Sequence, residues 1–239
     1  MGSLPNEEWL IDGISRFLTR HNITIDRYSE KLPQLFEMMA YNFVVSYYRR
    51  KGFKVWPVNL QNGHFKYKIQ PYGYPDNFSW FEGSKLYRNK NCDIEIHHNL
   101  PVEALECNTT CFITPDVSVI KKGSLKQLND SYWLLNRTRY YFASKEGLLT
   151  FCEAKYLDPF PELLFNFIGM LAAMKPLNGT SNKMLYGLKF MAPSLLLAGS
   201  GNKHNRRIQN FLIRKYRINV FFGVPTISKS RISEILTID

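Results

Sequence analysis

Apolar side chains recur at Trp9, Leu10, Ile14, Phe17 and Leu18, the spacing of one helix face, and predict a helix over residues 5–20. Pro5 suits its start, and Glu7 and Glu8 fall in the turn where the helix dipole favours negative charge. A second helix is expected from Ser29 or Pro33 to Lys51, with Gly52 as its stop. Its sequence, LPQLFEMMAYNFVVSYYRRKG, is apolar around most of its circumference. It should therefore be buried up to the basic end formed by Arg49, Arg50 and Lys51. Glu37 is the only acid inside it, near enough to the helix start for the dipole to stabilise a carboxylate by about 0.3–1 kcal/mol.

From Phe53 to Ile120 the chain breaks into short β-like runs. FKVWPVNL, HFKYKIQPYG, CDIEIHH and CFITPDVSVI, separated by Gly, Pro and Asn clusters, read as strands. In the last run Ile113, Val117 and Val119 would share one face, with Thr114, Asp116 and Ser118 on the other, so Asp116 lies on a polar face. Residues 121–146 read as a polar, basic and aromatic insertion with a short helix around Ser124–Leu135. LLTFCEAKYL (148–157) follows as a buried strand in which Leu149, Phe151, Glu153 and Lys155 share one row, while Cys152 and Ala154 point the other way.

PELLFNFIGMLAAMKPLNG supplies an apolar helix and APSLLLAGS a buried strand. NKHNRRIQNFLIRKYRI supplies a basic amphipathic helix whose Ile208, Phe211 and Leu212 should enter the core, and NVFFGVP a final strand. This order specifies an α/β fold, a mixed central β-sheet flanked by helices on both faces. The connection from 157 to 192 is long enough for a crossover between parallel strands. Residues 1–239 read as a single domain, with 1–25 as an N-terminal helical extension and 121–146 as an insertion between two strands.

Charge narrows the partners. Thirty-one Lys and Arg against twenty Asp and Glu give a formal charge of +11, which favours a polyanion such as nucleic acid. No apolar run approaches a bilayer span, and the N-terminus MGSLPNEEWL lacks the basic start and apolar stretch of a signal peptide, so no membrane partner is expected. A hydrophobic share of 45% makes a folded state the expected one. Four cysteines do not make a disulfide framework in a chain of 239 residues, and a cytoplasmic protein with reduced thiols is expected.

The chemistry centres on Pro115-Asp116 and Glu153-Ala154-Lys155. By pattern alone, Glu153 and Lys155 form an ordinary ion pair at the end of a strand. If the two segments neighbour one another, two acids and a lysine converge. Two carboxylates held close repel unless a cation lies between them. Mg²⁺ (or Mn²⁺) resolves this with one or two protein carboxylates, waters and substrate phosphate oxygens. A lysine beside such a site can position the attacking water and balance charge developing on a phosphodiester.

These residues, with the order of elements from about 30 to 224, resemble the PD-(D/E)xK nuclease superfamily, which has a restriction-endonuclease-like fold. The resemblance implies that Asp116 and Glu153 are metal ligands, that Lys155 is the catalytic lysine, and that Glu37 is an auxiliary ligand or orienter. It implies a Mg²⁺-dependent deoxyribonuclease, an endonuclease that hydrolyses DNA in defence, repair or a mobile element. A departure is the gap of thirty-six residues between Asp116 and Glu153, which the insertion fills.

DNA contacts are expected from Lys203, Arg206, Arg207 and Arg214 on the basic helix and from Lys121 and Lys122, through phosphate contacts that carry affinity without sequence. Tyr140 and Tyr141 in the insertion offer rings for stacking on unpaired bases. A homodimer is compatible with cutting both strands. The other readings are a non-catalytic nucleic-acid-binding protein on the same fold and an RNA-acting nuclease. A separate cluster, Cys92, His97, His98, Cys107 and Cys111, contains zinc-ligand types at irregular spacing, against strand-buried cysteines as the plainer reading. Asp93 and Glu95 share the other face of that strand, read as solvated or as lying near the metal.

Overall fold

The computed structural model of the chain describes residues 4–25, 28–70, 73–104, 111–128, 140–174, 188, 190–223 and 237–238. Helix α1 (Glu7–Arg20) opens at Asn6, whose side chain accepts from Trp9 N, and buries Leu10, Ile14, Phe17 and Leu18. Helix α2 (Leu32–Arg50) has Pro33 in its first turn and ends before Gly52, which takes the positive φ of 85° that a side chain would resist. Strands β1 (Lys54–Val58), β2 (Trp80–Tyr87), β3 (Lys90–His98), β4 (Val117–Lys121) and β5 (Leu148–Lys155) follow. Then come α3 (Pro161–Met174), β6 (Ser194–Leu197), α4 (Lys203–Tyr216) and β7 (Asn219–Phe222).

The seven strands form one mixed sheet in the order β7-β6-β5-β4-β3-β2-β1, so each strand lies beside its neighbour in sequence. β1 to β5 pair antiparallel, and β5, β6 and β7 pair parallel. The two parallel joins are made by α3 and α4, because a parallel neighbour can be reached only by a crossover.

Alternation along the strands divides the interior. Cys152, Ala154 and Leu196 face the core that includes α1 and α2, whereas Phe151, Leu195 and Leu197 face the core of α3 and α4. The fold is therefore α/β, a mixed sheet with helices on both faces. Among the described residues no helix is long and apolar enough to cross a membrane.

Several local expectations are corrected. The run CFITPDVSVI is two pieces, because Pro115 cannot donate to a ladder. Phe112–Ile113 pairs with Val102–Glu103 in a second, small sheet, and β4 begins only at Val117. Leu149 does not share the row of Phe151: a register shift between Leu148 and Thr150 turns it to the α1 and α2 side. The short helix expected around Ser124–Leu135 is instead a strand at Leu125–Leu128, paired antiparallel with Tyr140–Ala143. Residues 129–135 of that expectation lie outside the described residues.

His64–Phe65 pairs with Thr24–Ile25 and not with the main sheet. The sequence reading also lacks β2, which reaches β3 through Arg88 and Asn89, both at positive φ (48° and 61°). This is the two-residue turn that an Asn-Gly pair would have announced and an Arg-Asn pair does not.

The loop from β6 to α4 is bolted to the residues after β5. Ala198 N donates to Lys155 O at 3.1 Å, Gly199 N to Leu157 O at 3.1 Å, and Asn205 Nδ2 to Pro159 O at 2.6 Å. A Cβ at Gly199 would stand 2.1 Å from Asp158 Oδ1 and 2.5 Å from Asp158 Cα. Gly199→Ala is expected to cost about 1–3 kcal/mol, at about 2–4 °C of melting temperature per kcal/mol. An unchanged thermal denaturation curve would show that the loop relaxes freely.

Candidate active site

β4 and β5 are hydrogen-bonded neighbours, with Val117 opposite Cys152, so the chain that leaves β4 at Lys121 returns to the adjacent strand at Leu148 and the gap between Asp116 and Glu153 is closed by the ladder. Asp116, the residue before β4, reaches the end of β5. Its Oδ2 accepts from Ala154 N at 2.7 Å and from Lys155 Nζ at 3.4 Å. Lys155 Nζ also pairs with Glu153 Oε1 at 2.5 Å, and Asp116 N donates to Glu153 Oε2 at 3.4 Å. Asp116 is 6% exposed and Glu153 7%, whereas the Lys155 side chain is 34% exposed and opens the group to solvent.

Burial, then the Glu153 carboxylate, push the Asp116 pKa up to about 8, against the opposing pull of Lys155 and the Ala154 N–H. Burial likewise raises Glu37, with Glu153 adding to the effect and Lys155 and the Asn99 side chain opposing it. For Lys155 burial acts downward, but Asp116 and Glu153 outweigh it and hold the ammonium above the ordinary lysine range. One ammonium thus serves three acids and does not offset them. That donor set suits a hard divalent cation taking Asp116 and Glu153. Glu37 stands farther back: among the described residues no group of three or more His, Cys, Asp and Glu side chains is placed to hold a metal ion.

Two supporting residues escaped the sequence reading. Asn99 N donates to Asp116 O at 3.0 Å, and the Asn99 side chain lies close enough to Glu37 to oppose the rise of its carboxyl. Asn99 Nδ2 donates to Lys68 O, and Lys68 Nζ donates to Asn99 O, each at 2.9 Å. This reciprocal clasp ties the segment at Lys68 to both acids. Asn99 has φ 50°, a conformation that Asn tolerates better than most residues, and its place just after CDIEIHH was a usable signal. Lys68, lowered to about 8 by burial, had none, since a lysine in HFKYKIQPYG reads as solvated.

The basic residues divide by position. Lys155 lies opposite Leu197, so the start of α4, with exposed Lys203, Arg206 and Arg207, follows the same end of the strands as the acids. Arg206 Nη2 donates to Ser200 O at 2.8 Å. Arg214, exposed, lies eight residues on, about 12 Å along the helix. Lys121 and Lys122 are at the other end of β4, about 16 Å or more from Asp116 along the strand, and Lys122 Nζ is paired with Glu82 Oε2 at 2.6 Å. Phe211 is 49% exposed and does not enter the core expected for it. Tyr141 packs edge-on to Tyr74 with centroids 6.3 Å apart.

The zinc cluster does not assemble among the described residues. Cys92 and His98 are at opposite ends of β3, about 20 Å apart along a strand. Cys111 is exposed, and Cys107 lies outside the described residues. Glu95 is buried, not solvated. It holds His97 Nε2 at 2.9 Å and accepts from Gly123 N at 3.0 Å, and its position opposite Ile120 keeps it away from Asp116. No family model, no curated protein and no solved structure matches this chain.

Proposed function

We propose that this protein is a metal-dependent nuclease of the PD-(D/E)xK kind that hydrolyses phosphodiester bonds in DNA. The observation that carries the reading is the meeting of Asp116, Glu153 and Lys155 from neighbouring strands, two carboxylates buried against each other with a partly exposed ammonium across both. Asp116 and Glu153 would hold Mg²⁺ or Mn²⁺, which when bound supplies a polarised phosphate and a more acidic water. The Lys155 ammonium lies where it can orient a water and offset negative charge at the scissile phosphate. Glu37 on α2, within electrostatic reach of Glu153 and Lys155, is read as the orienter of this group and not as its third ligand.

The exposed cations Lys203, Arg206 and Arg207 give the substrate backbone a seat beside the acids. Each phosphate contact adds roughly −0.9 to the slope of log K against log salt. Arg207→Ala is expected to weaken DNA binding several-fold at low salt and to flatten that slope by about 0.9, whereas Lys122→Ala changes neither. Fluorescence anisotropy over a salt series measures both. The nuclease reading is tested with plasmid and single-stranded DNA in Mg²⁺ or Mn²⁺. Cleavage by wild type that disappears in Lys155→Ala supports it, and binding without cleavage in any metal returns the chain to the non-catalytic alternative. An RNA substrate in the same assay separates the two nucleic acids.

A further inference from the structure

A cavity of about 650 Å³ opens one helical turn from Glu37 along α2, and nothing in the hydrolytic scheme uses it. Tyr28, Lys31 and Gln34 line it from the start of α2, with Lys66, Tyr67 and Phe78 opposite. Gln34 lies three positions before Glu37 on α2, which puts their Cβ atoms about 5–6 Å apart. Tyr67 directly precedes Lys68, which grips Asn99. α2 and the segment around Lys68 therefore run from the cavity to the residues that neighbour the acid centre.

We infer that this cavity receives an unpaired nucleobase of the substrate strand, next to the bond that is cut. The inference rests on the nuclease reading and adds to it where the strand's base goes. Tyr28 and Phe78, both half-buried, offer ring surface for a planar ligand, as stacking on single strands requires, while Tyr67, buried with its hydroxyl donating to Asn42 Oδ1, closes the floor. The Gln34 amide is held in place, since its Oε1 accepts from Ser29 Oγ, which itself accepts from Lys31 N at 3.1 Å. An oriented amide can donate to and accept from a base edge.

Lys66 Nζ sits over the Phe78 ring, 5.7 Å from its centroid, a mobile cation that must swing from that face to a phosphate for a base to stack there. A wholly apolar ligand would strip water from Lys31 and Gln34 without replacing it. An inorganic anion would leave the rings unused. The volume falls within the roughly 300–1,000 Å³ range of small-molecule sites, enough for a base and its sugar.

The test is an abasic scan. Single-stranded oligonucleotides with one abasic residue at successive positions are titrated against the full chain in EDTA, so that no cleavage occurs, and binding is read by anisotropy. Loss of one particular base is expected to weaken binding to wild type about tenfold. The same loss should have little effect on Phe78→Ala, whose own affinity for the intact strand falls to a similar extent. Gln34→Ala provides a second variant in case Phe78→Ala does not fold.

A scan that is flat at every position, absence of binding, or an undiminished abasic effect in both variants overturns the inference. Wild-type cleavage of the intact strand in Mn²⁺ is read in parallel. Cleavage with a flat scan removes the cavity's role alone, and a position-specific abasic effect without cleavage removes the hydrolytic reading alone.

Discussion

Asp116→Asn is expected to lose DNA cleavage by about 10²–10³-fold or more and, in chelator at pH 8, to melt at a higher temperature than wild type. Both effects have one cause. The carboxylate is buried against Glu153 and near Glu37, so its charge is costly to the fold even with Lys155 beside it. An amide keeps the side chain's volume, and its oxygen can still accept from Ala154 N, the 2.7 Å bond that docks the start of β4 on β5. It removes the charge that a divalent cation would need. Stability released by neutralising a functional group is a recurring trade against activity.

Lys155→Ala should be equally inactive with the opposite change in stability, because it leaves the carboxylates without their ammonium. Breaking a fully buried pair costs about 3–5 kcal/mol, and the 34% exposure of Lys155 makes the loss here smaller. Cleavage assays and thermal melts on the two variants check both halves. Active Asp116→Asn protein would remove Asp116 from the chemistry. A lowered melting temperature in that variant would mean that the carboxylate is structural.

The stability of wild type in EDTA is expected to fall as pH rises from about 6.5 to 8, and a divalent cation should reverse the fall. The folded pKa of Asp116 is raised to about 8 from an ordinary 3.8. Between those values the folded chain holds a proton that the unfolded chain has released, so stability decreases with pH across the window. Glu37 is shifted in the same direction. Lys155, raised above 10.5, contributes stability that is fully present below that value and leaves the window untouched.

Acid to the window the slope is opposed. His98, lowered to about 3 by burial and then by Lys68, and His21, lowered to about 4 by burial and then by Arg49, are neutral in the fold. Unfolding lets them take up protons below an ordinary 6.5, so they cost stability as pH falls. Mn²⁺ at 100 times its Kd should restore about 2.7 kcal/mol, or about 5–11 °C, with a larger rise at pH 8 than at pH 6.5. Differential scanning calorimetry at fixed ionic strength checks the slope. Its persistence in Asp116→Asn would assign it to another group.

Much of this architecture was legible in the residues. The apolar spacing of α1, α3 and α4 and the apolar runs of β5, β6 and β7 specified those elements, because burying a helix face or a two-sided strand imposes its own periodicity. Where a turn or a bulge intervened, the reading failed. β2 was missed because the Arg88-Asn89 turn relies on positive φ without glycine. Leu149 was assigned to the wrong row because one irregular step reverses facing along a strand.

The candidate site divides in the same way. Asp116, Glu153 and Lys155 stand out by type and spacing, because charges in otherwise apolar strands need a reason to be there. Their encounter across the thirty-six-residue gap depends on the β4 and β5 ladder, a non-local pairing that local pattern does not encode. So does the separation of Lys121 and Lys122, at the far end of β4, from Lys203, Arg206 and Arg207, which follow the same end of the strands as the acids. The clasp of Lys68 and Asn99 exists only where two distant backbones come within hydrogen-bond reach. The linear chain by itself determined the α/β class and the kinds of chemical group available, since those follow from residue type and local period. Which groups face one another, and how far burial shifts their charge, was decided by the tertiary structure, because distance and dielectric are properties of the packed molecule alone.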